Sequence, residues 1–173
     1  TLSLPLILHR RRAIFDALRR HLASAPSIAL KPMLEVVAAL ALDLRHEFYP
    51  EFPDLLRSLA DLLRPDDVEQ LEDIFSTLCY IFKYLLRQLL DDLTGAFGVY
   101  SRLLAHEREH VREFAAESFA YLLRRLPRRA LPAALRTTIL PRVGEGCALD
   151  GTAVVVVAAA VVVTMLLWSR RCA

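Results

Sequence analysis

The five residues HEREH at positions 106–110 fit the pattern H-E-x-x-H. On a helix, two histidines one turn apart can bind zinc while the glutamate between them activates a water molecule. The spacing therefore raises the question of a metal-dependent hydrolase, in which His106 and His110 would be ligands and Glu107 the base.

Two features of the surrounding sequence argue against this chemistry. The positions between the glutamate and the second histidine are Arg108 and Glu109, and burying two unpaired charges inside a helix is costly. The apolar periodicity also places His106 at the end of one helix and His110 at the start of the next. We therefore expect His106, Glu107 and His110 to form a polar turn without a metal.

Other catalytic patterns are missing from the sequence. It contains no G-x-S-x-G motif and no glycine-rich phosphate loop, which are the patterns expected for a nucleophile elbow or a nucleotide site. The three cysteines are widely spaced, which fits a reducing compartment and gives no disulfide or zinc framework. Cys79 lies in an apolar helical run and is expected to be buried. The sequence thus predicts a non-enzymatic protein without a cofactor.

Composition and charge indicate a folded chain with a small positive net charge. The chain has 173 residues, of which 55% are hydrophobic, and a formal net charge of +2. This length suits about one domain with a sizeable core. The basic runs HRRR and RRLPRR are typical of solvated helix faces. Because the chain begins with Thr1 and an apolar segment that precedes the basic run, we expect a piece of a longer protein.

Apolar residues recur at steps of three and four, whereas the alternating runs and glycine-rich turns of strands are missing. This pattern predicts an all-α protein. The predicted helices have the approximate bounds Leu4–Ala23, Ala29–Glu47, Pro53–Leu63, Asp67–Leu90, Leu93–Leu104 and Glu109–Leu126. The fourth helix is expected to bury a stripe formed by Val68, Leu71, Phe75, Leu78, Phe82 and Leu85. In the first helix, four arginines lie largely on the outer face: Arg11, Arg12, Arg19 and Arg20.

An internal repeat favours a solenoid over a closed bundle. The repeat pairs apolar positions of two segments, namely Leu62 with Leu103, Val68 with Val111, and Leu71 with Phe114. The offset of about 41 to 44 residues falls in the range of HEAT and armadillo repeats. The sequence therefore predicts an α-solenoid of about three HEAT or armadillo-like hairpins over residues 1–130. Their approximate bounds are Leu4–Glu47, Phe48–Arg87 and Gln88–Leu126.

Three blocks that keep aromatic and polar residues together carry a resemblance: DLRHEFYPEFPDLL, FSTLCYIFKYLLRQLL and LLAHEREHVREFAAESFAYLLRRLP. Over about Leu4–Pro127 the chain resembles the large HEAT-repeat scaffold protein of the small-subunit processome, the down-regulated-in-metastasis family. The resemblance implies a nucleolar, non-enzymatic scaffold fragment that supports processing of small-subunit ribosomal RNA. It also implies processome proteins, pre-ribosomal RNA and adjacent HEAT repeats of a longer chain as partners.

Four arginines near the end of the sixth predicted helix are candidates for RNA phosphate contacts: Arg124, Arg125, Arg128 and Arg129. Guanidinium groups bind phosphate oxygens and position a protein on a nucleic acid. The alternative is a solvated helix end, because cations are favoured at the negative end of the helix dipole.

The chain changes character after the helical segment. Residues 131–150 are predicted to be a linker, 151–168 are hydrophobic without a charge, and 169–173 form a basic tail. The hydrophobic segment has the length of a membrane span, followed by an aromatic and basic flank. It could also be a buried helix or a tail outside the native reading frame, which the Val and Ala run favours. A genuine span would make the chain a tail-anchored adaptor that binds a protein partner at a membrane.

Overall fold

The computed structural model describes residues 4–24, 27–64 and 66–127, together with residues 133, 136 and 137. Within this part of the chain there is no strand, so the all-α class is confirmed. The seven α-helices found there are α1 (Leu4–His9), α2 (Arg11–Ser24), α3 (Ser27–Leu44), α4 (Phe52–Leu62), α5 (Val68–Asp91), α6 (Leu93–Leu104) and α7 (Glu109–Leu123). A 3-10 helix, Arg45–Glu51, lies between α3 and α4.

The first predicted helix is interrupted at Arg10, which divides it into α1 and α2. Hydrogen bonds of the helical type continue on both sides of the interruption. The Arg10 amide donates to the Leu6 carbonyl at 3.0 Å, and the Ile14 amide donates to the Arg10 carbonyl at 3.0 Å. The direction of the chain is therefore nearly kept, while the basic run HRRR lies at the junction of the two helices.

The helix α3 ends three residues earlier than the sequence predicts, at Leu44 instead of Glu47. Arg45 has a φ angle of +48°, which places it in the left-handed region. A residue with a positive φ angle cannot continue a right-handed helix, because every residue of that helix has a negative φ angle. The chain then forms the 3-10 helix, which is the tighter form common at such connections.

The chain divides into two compact units, of which the first ends at Leu89 and the second begins at Leu90. In the first unit, helices α2, α3 and α4 and the 3-10 helix pack against one another. The rings of Phe15 and Phe48 meet edge to face at 5.0 Å. The Phe52 ring of α4 lies 6.2 Å from the Phe82 ring of α5. These buried aromatic pairs join helices through their large apolar surfaces.

A group of ion pairs joins α2 to the 3-10 helix and α4. The Nη1 atom of Arg11 donates a hydrogen bond to Glu47 Oε2 at 2.8 Å, and the Nε atom of Arg11 lies 3.4 Å from Glu51 Oε1. Arg19 Nη1 lies 3.8 Å from Glu51 Oε2 and 3.3 Å from Asp54 Oδ2. Glu51 is buried between the two arginines. The prediction that Arg11 and Arg19 face outward is therefore wrong, because these carboxylates draw them inward.

The N-terminus of α5 is capped by Asp67. Asp67 Oδ1 accepts a hydrogen bond from the Gln70 amide at 3.0 Å, which satisfies one of the free amides of the first turn. The Gln70 side chain in turn accepts from the Arg64 amide at 3.1 Å. Asp67 and Gln70 together fix the connection between α4 and α5.

The predicted apolar stripe of α5 is wrong in its first turns. Val68 is 65% exposed, whereas Gln70 and Ile74 are buried. Gln70 lies on the buried side because its side chain bonds the Arg64 amide of the preceding connection. Farther along the helix, the predicted positions Leu78, Phe82 and Leu85 are buried. Val68 also differs in burial from Val111, the position that the repeat pairs with it.

Cys79 is exposed on α5, so the expectation of a buried cysteine is wrong. Residues one or two turns away on the same side of the helix, Ser76 and Lys83, are also exposed. The buried side of this part of α5 carries Leu78, Ile81 and Phe82 instead. A short apolar run cannot by itself reveal which side of a helix is covered.

The second unit contains the helical pair α6 and α7. Asp92 caps α6 by accepting a hydrogen bond from the Gly95 amide at 2.9 Å. The Phe119 ring of α7 lies 5.4 Å from the Phe97 ring and 5.0 Å from the Tyr100 ring of α6. Three small residues of α7 are buried: Ala115, Ala116 and Ser118. Small side chains let two helices approach closely.

Candidate nucleic-acid interface

The HEREH residues form the turn between α6 and α7. Helix α6 ends at Leu104 and α7 begins at Glu109, so His106 lies in the turn and His110 in the first turn of α7. The predicted separation of the two histidines by a turn is confirmed. The guanidinium group of Arg112 donates to the carbonyl oxygens of His106 and Glu107 at 2.9 and 2.8 Å.

The side chain of His106 is occupied within this turn. Its Nδ1 atom accepts a hydrogen bond from the Arg108 amide at 3.1 Å. The Nε2 atom of His110 is buried and meets no hydrogen-bond partner among the described residues. In the ranges that the structure describes, no three His, Cys, Asp or Glu side chains are grouped so that they could hold a metal ion. The geometry thus gives these residues a structural part in the helix connection.

Two of the four predicted RNA-contacting arginines lie just beyond the end of α7. Arg124 and Arg125 are exposed in the turn that follows Leu123. The guanidinium group of Arg125 lies over the Tyr121 ring at 4.9 Å and donates to the Tyr121 hydroxyl at 2.7 Å. Arg128 and Arg129 lie outside the described residues.

The Arg125–Tyr121 arrangement can bind a nucleic acid in two ways. A guanidinium group stacked on a ring keeps donor N–H groups at its edge that can meet phosphate oxygens. An accessible aromatic ring can also stack on a base. The same position satisfies the alternative of a solvated helix end, because both arginines follow the C-terminus of α7.

A second basic surface, at residues 9–12, was not predicted as a site. His9, Arg10, Arg11 and Arg12 line a cavity of about 330 Å³ at the junction of α1 and α2. The sequence shows this basic run but indicates only a solvated helix face. The sequence does not reveal that Arg11 pairs with Glu47. This ion pair neutralises one arginine of the run and so distinguishes it from the arginines on either side.

The hydrophobic segment 151–168 lies outside the described residues. Among the helices in the described ranges, none combines the length and the apolar character that a membrane crossing requires. The basic tail 169–173 and nearly all of the predicted linker 131–150 also lie outside the described residues.

The described part of the chain defines an all-α protein of paired helices with basic surfaces at residues 9–12 and 124–125. The chain is 32% identical over 122 residues to the U3 small nucleolar RNA-associated protein 20 of Schizosaccharomyces pombe, an alignment that covers 69% of the chain. It is 30% identical over 129 residues, or 72% of the chain, to the protein of the same name in Saccharomyces cerevisiae.

These similarities support a relationship between the chain and U3 small nucleolar RNA-associated protein 20. The chain spans about 5% of the length of each of these curated relatives. A scan against protein-family models gives no match. The relationship therefore concerns one short helical part of much longer proteins.

Proposed function

We propose that the chain is a non-enzymatic, helical-repeat part of a scaffold in the small-subunit processome, and that it supports the processing of small-subunit ribosomal RNA in the nucleolus. The observation that carries this proposal is the similarity to two U3 small nucleolar RNA-associated proteins over most of the helical region. Both relatives are named for their association with the U3 small nucleolar RNA.

The helical architecture supports a role in binding rather than in catalysis. Helical pairs such as α6 and α7 bury their facing sides against each other, and stacked pairs of this kind form the extended surfaces of HEAT-type solenoids. A solenoid of this type would contact processome proteins and adjacent repeats of a longer chain. The turn geometry of His106 and His110 supports the same proposal, because it removes the clearest candidate for catalytic chemistry.

Cellular location and bound RNA test this proposal directly. Two tagged versions, residues 1–173 and residues 1–127, are expressed in the same cells, imaged, and purified with their bound RNA. We expect both versions to concentrate in the nucleolus and to co-purify with U3 RNA and small-subunit precursor RNA. The shorter version removes the hydrophobic segment 151–168 while keeping all of α1 to α7.

The opposite outcome identifies the tail-anchored adaptor. In that case the full chain would stay in membrane fractions after washes with high salt and alkali, and it would bring down no ribosomal precursor RNA. A matched version with Phe119→Asp, which places a charge in the buried α6–α7 contact, should lose the nucleolar signal if the helical fold is what binds. Retention of the signal in this variant would contradict a role for the α6–α7 pair.

A further inference from the structure

Within the described part of the chain, two arginines at the α1–α2 junction have no carboxylate partner. Arg10 and Arg12 are exposed, and within the described ranges neither guanidinium group forms an ion pair or a hydrogen bond. The arginine between them is different, because Arg11 donates to the Glu47 carboxylate at 2.8 Å and to the Glu47 carbonyl at 3.0 Å. Two charges of the run HRRR are thus available to a ligand.

The ion pairs of Arg11 fix the position of its side chain. Arg11 is held toward the 3-10 helix by Glu47 and Glu51. Its neighbours in the sequence, Arg10 and Arg12, line the cavity of about 330 Å³ together with His9 and with Arg11 itself. The anchor limits the freedom of the junction, so less conformational entropy is lost when the neighbouring side chains bind.

We infer that the cavity formed by His9, Arg10 and Arg12 binds the sugar-phosphate backbone of RNA. Guanidinium groups form paired hydrogen bonds with phosphate oxygens, and two of them in a shallow cavity can meet neighbouring phosphates of one strand. His9 adds an imidazole at the edge of the same cavity. This inference rests on the proposed function for its choice of RNA over other polyanions, and it names a surface different from Arg124 and Arg125.

Binding through phosphates has a defined salt dependence. For single-stranded nucleic acid, each phosphate contact contributes about 0.7 to the slope of the logarithm of the affinity against the logarithm of salt concentration. Two contacts thus contribute about 1.4 to that slope, which equals about a sevenfold change in affinity between about 50 and 200 mM salt. The number of contacts can therefore be measured without knowing the natural RNA sequence.

The test measures fluorescence anisotropy of a mixed-sequence single-stranded RNA of about 20 nucleotides with the full chain. The double variant Arg10→Gln/Arg12→Gln should lower the slope by about 1.4 and weaken binding at every salt concentration. The variant Arg10→Lys/Arg12→Lys keeps both charges and should retain the slope. Because Arg10 and Arg12 are exposed, circular dichroism should show unchanged helix content in both variants.

A matched control separates this cavity from the overall charge. The variant Lys83→Gln/Arg102→Gln also removes two exposed cations and lowers the formal net charge from +2 to 0. Its salt slope should equal that of the unmodified chain. If the two double variants lower the slope equally, or if the glutamine variant at the junction binds as the unmodified chain does, the inference is overturned.

Three further outcomes separate an error in this site from an error in the proposed function. If polyglutamate competes for the cavity as well as RNA does at equal charge, the cavity binds acidic protein segments and the inference is wrong. If the chain reaches the nucleolus with precursor RNA in cells but binds no RNA in solution, the proposed function stands while this site fails. If neither result is obtained and the chain lies on membranes, the proposed function itself fails.

Discussion

The two units of the chain are stabilised by different means. In the first, an aromatic core is accompanied by ion pairs from Arg11 and Arg19 to Glu47, Glu51 and Asp54. In the second, Phe97, Tyr100 and Phe119 pack together beside small residues. The first unit depends on complementary charges, whereas the contacts described in the second depend on the shapes of apolar side chains.

This difference also decides which arginines are available for binding. In the first unit the carboxylates neutralise Arg11 and Arg19 and leave Arg10 and Arg12 without a partner in the described ranges. Just after α7 in the second unit, Arg125 is held by the Tyr121 ring and hydroxyl, which do not cancel its charge. A basic run is therefore informative about binding only when the partners of each cation are known.

The substitution with the largest expected effect disrupts the aromatic packing of the second unit. Phe119→Ala should lower the free energy of unfolding by about 3 to 5 kcal/mol, because it removes a buried ring and leaves a cavity. Amide hydrogen exchange in α6 and α7 measures the loss. The control Tyr80→Ala removes an aromatic ring that is 50% exposed and should cost less than about 1 kcal/mol. Equal losses would show that the Phe119 contacts do not stabilise this pair.

The second prediction concerns a substitution that disrupts the ion pairs of the first unit. Glu51→Gln keeps the shape of the side chain but leaves Arg11 and Arg19 without their shared, buried carboxylate. We expect a loss of about 2 kcal/mol in the free energy of unfolding, less than for a fully buried pair because both arginines are 21% exposed. The measurement is urea unfolding followed by circular dichroism.

Glu35→Gln provides the matched control for this prediction. Glu35 is exposed on α3, and removal of an exposed carboxylate should change the free energy of unfolding by less than about 0.5 kcal/mol. If Glu51→Gln changes it no more than Glu35→Gln does, the ion pairs are not what stabilises the contact between α2 and the 3-10 helix.

The sequence predicts the helices of this chain well, because its apolar periodicity is strong throughout. The bounds of α6, Leu93–Leu104, are confirmed, and the capping by Asp67 and Asp92 follows from acidic residues placed before apolar runs. The end of α3 could not be predicted, because the left-handed conformation of Arg45 depends on its surroundings. Arginine has no intrinsic preference for that conformation.

The sequence predicts the candidate sites less well. The turn at HEREH followed from charges and periodicity, which are local properties. The division of HRRR into one paired and two available arginines depends on Glu47, which is far away in sequence and approaches only when the helices pack. The inward position of the Gln70 side chain in α5 has the same kind of cause, since its partner is the Arg64 amide of the preceding connection.

The third prediction concerns the buried Tyr100 hydroxyl of the second unit. Tyr100 is fully buried, and its hydroxyl meets no hydrogen-bond partner in the part of the chain that the structure describes. The Ser118 hydroxyl is nearby but donates to the Ala115 carbonyl at 3.2 Å. Tyr100→Phe removes the unsatisfied group and keeps the ring, so we expect the free energy of unfolding to rise by about 1 kcal/mol. A loss of stability, again by urea unfolding, would show that the hydroxyl is bonded in solution.

The pH dependence gives an independent measurement of the same group. Burial raises the pKa of Tyr100 above its ordinary value of 10.0, and the nearby Ser118 hydroxyl opposes a smaller part of this rise. Above pH 10 the unfolded chain releases the proton while the folded chain keeps it, so the free energy of unfolding falls as pH rises. Below pH 10 this contribution is constant. The fall above pH 10 should be smaller in Tyr100→Phe.

The smallest expected effect tests the backbone that positions the carboxylates of the first unit. Arg45 begins the 3-10 helix with a φ angle of +48°, a conformation that costs a non-glycine residue about 1 to 2 kcal/mol. Arg45→Gly relieves this cost but adds freedom to the unfolded chain, worth about 0.5 to 1 kcal/mol. We therefore expect a net gain of about 0.5 kcal/mol in the free energy of unfolding.

Arg102→Gly is the control, because Arg102 is an exposed residue inside α6. There, glycine should lower the free energy of unfolding by about 1 kcal/mol. Opposite signs for the two substitutions would show that the left-handed Arg45 is present in solution, and with it the chain direction that brings Glu47 to Arg11. Equal losses would mean that α3 continues past Leu44, and the pairing that leaves Arg10 and Arg12 available would then lose its structural basis.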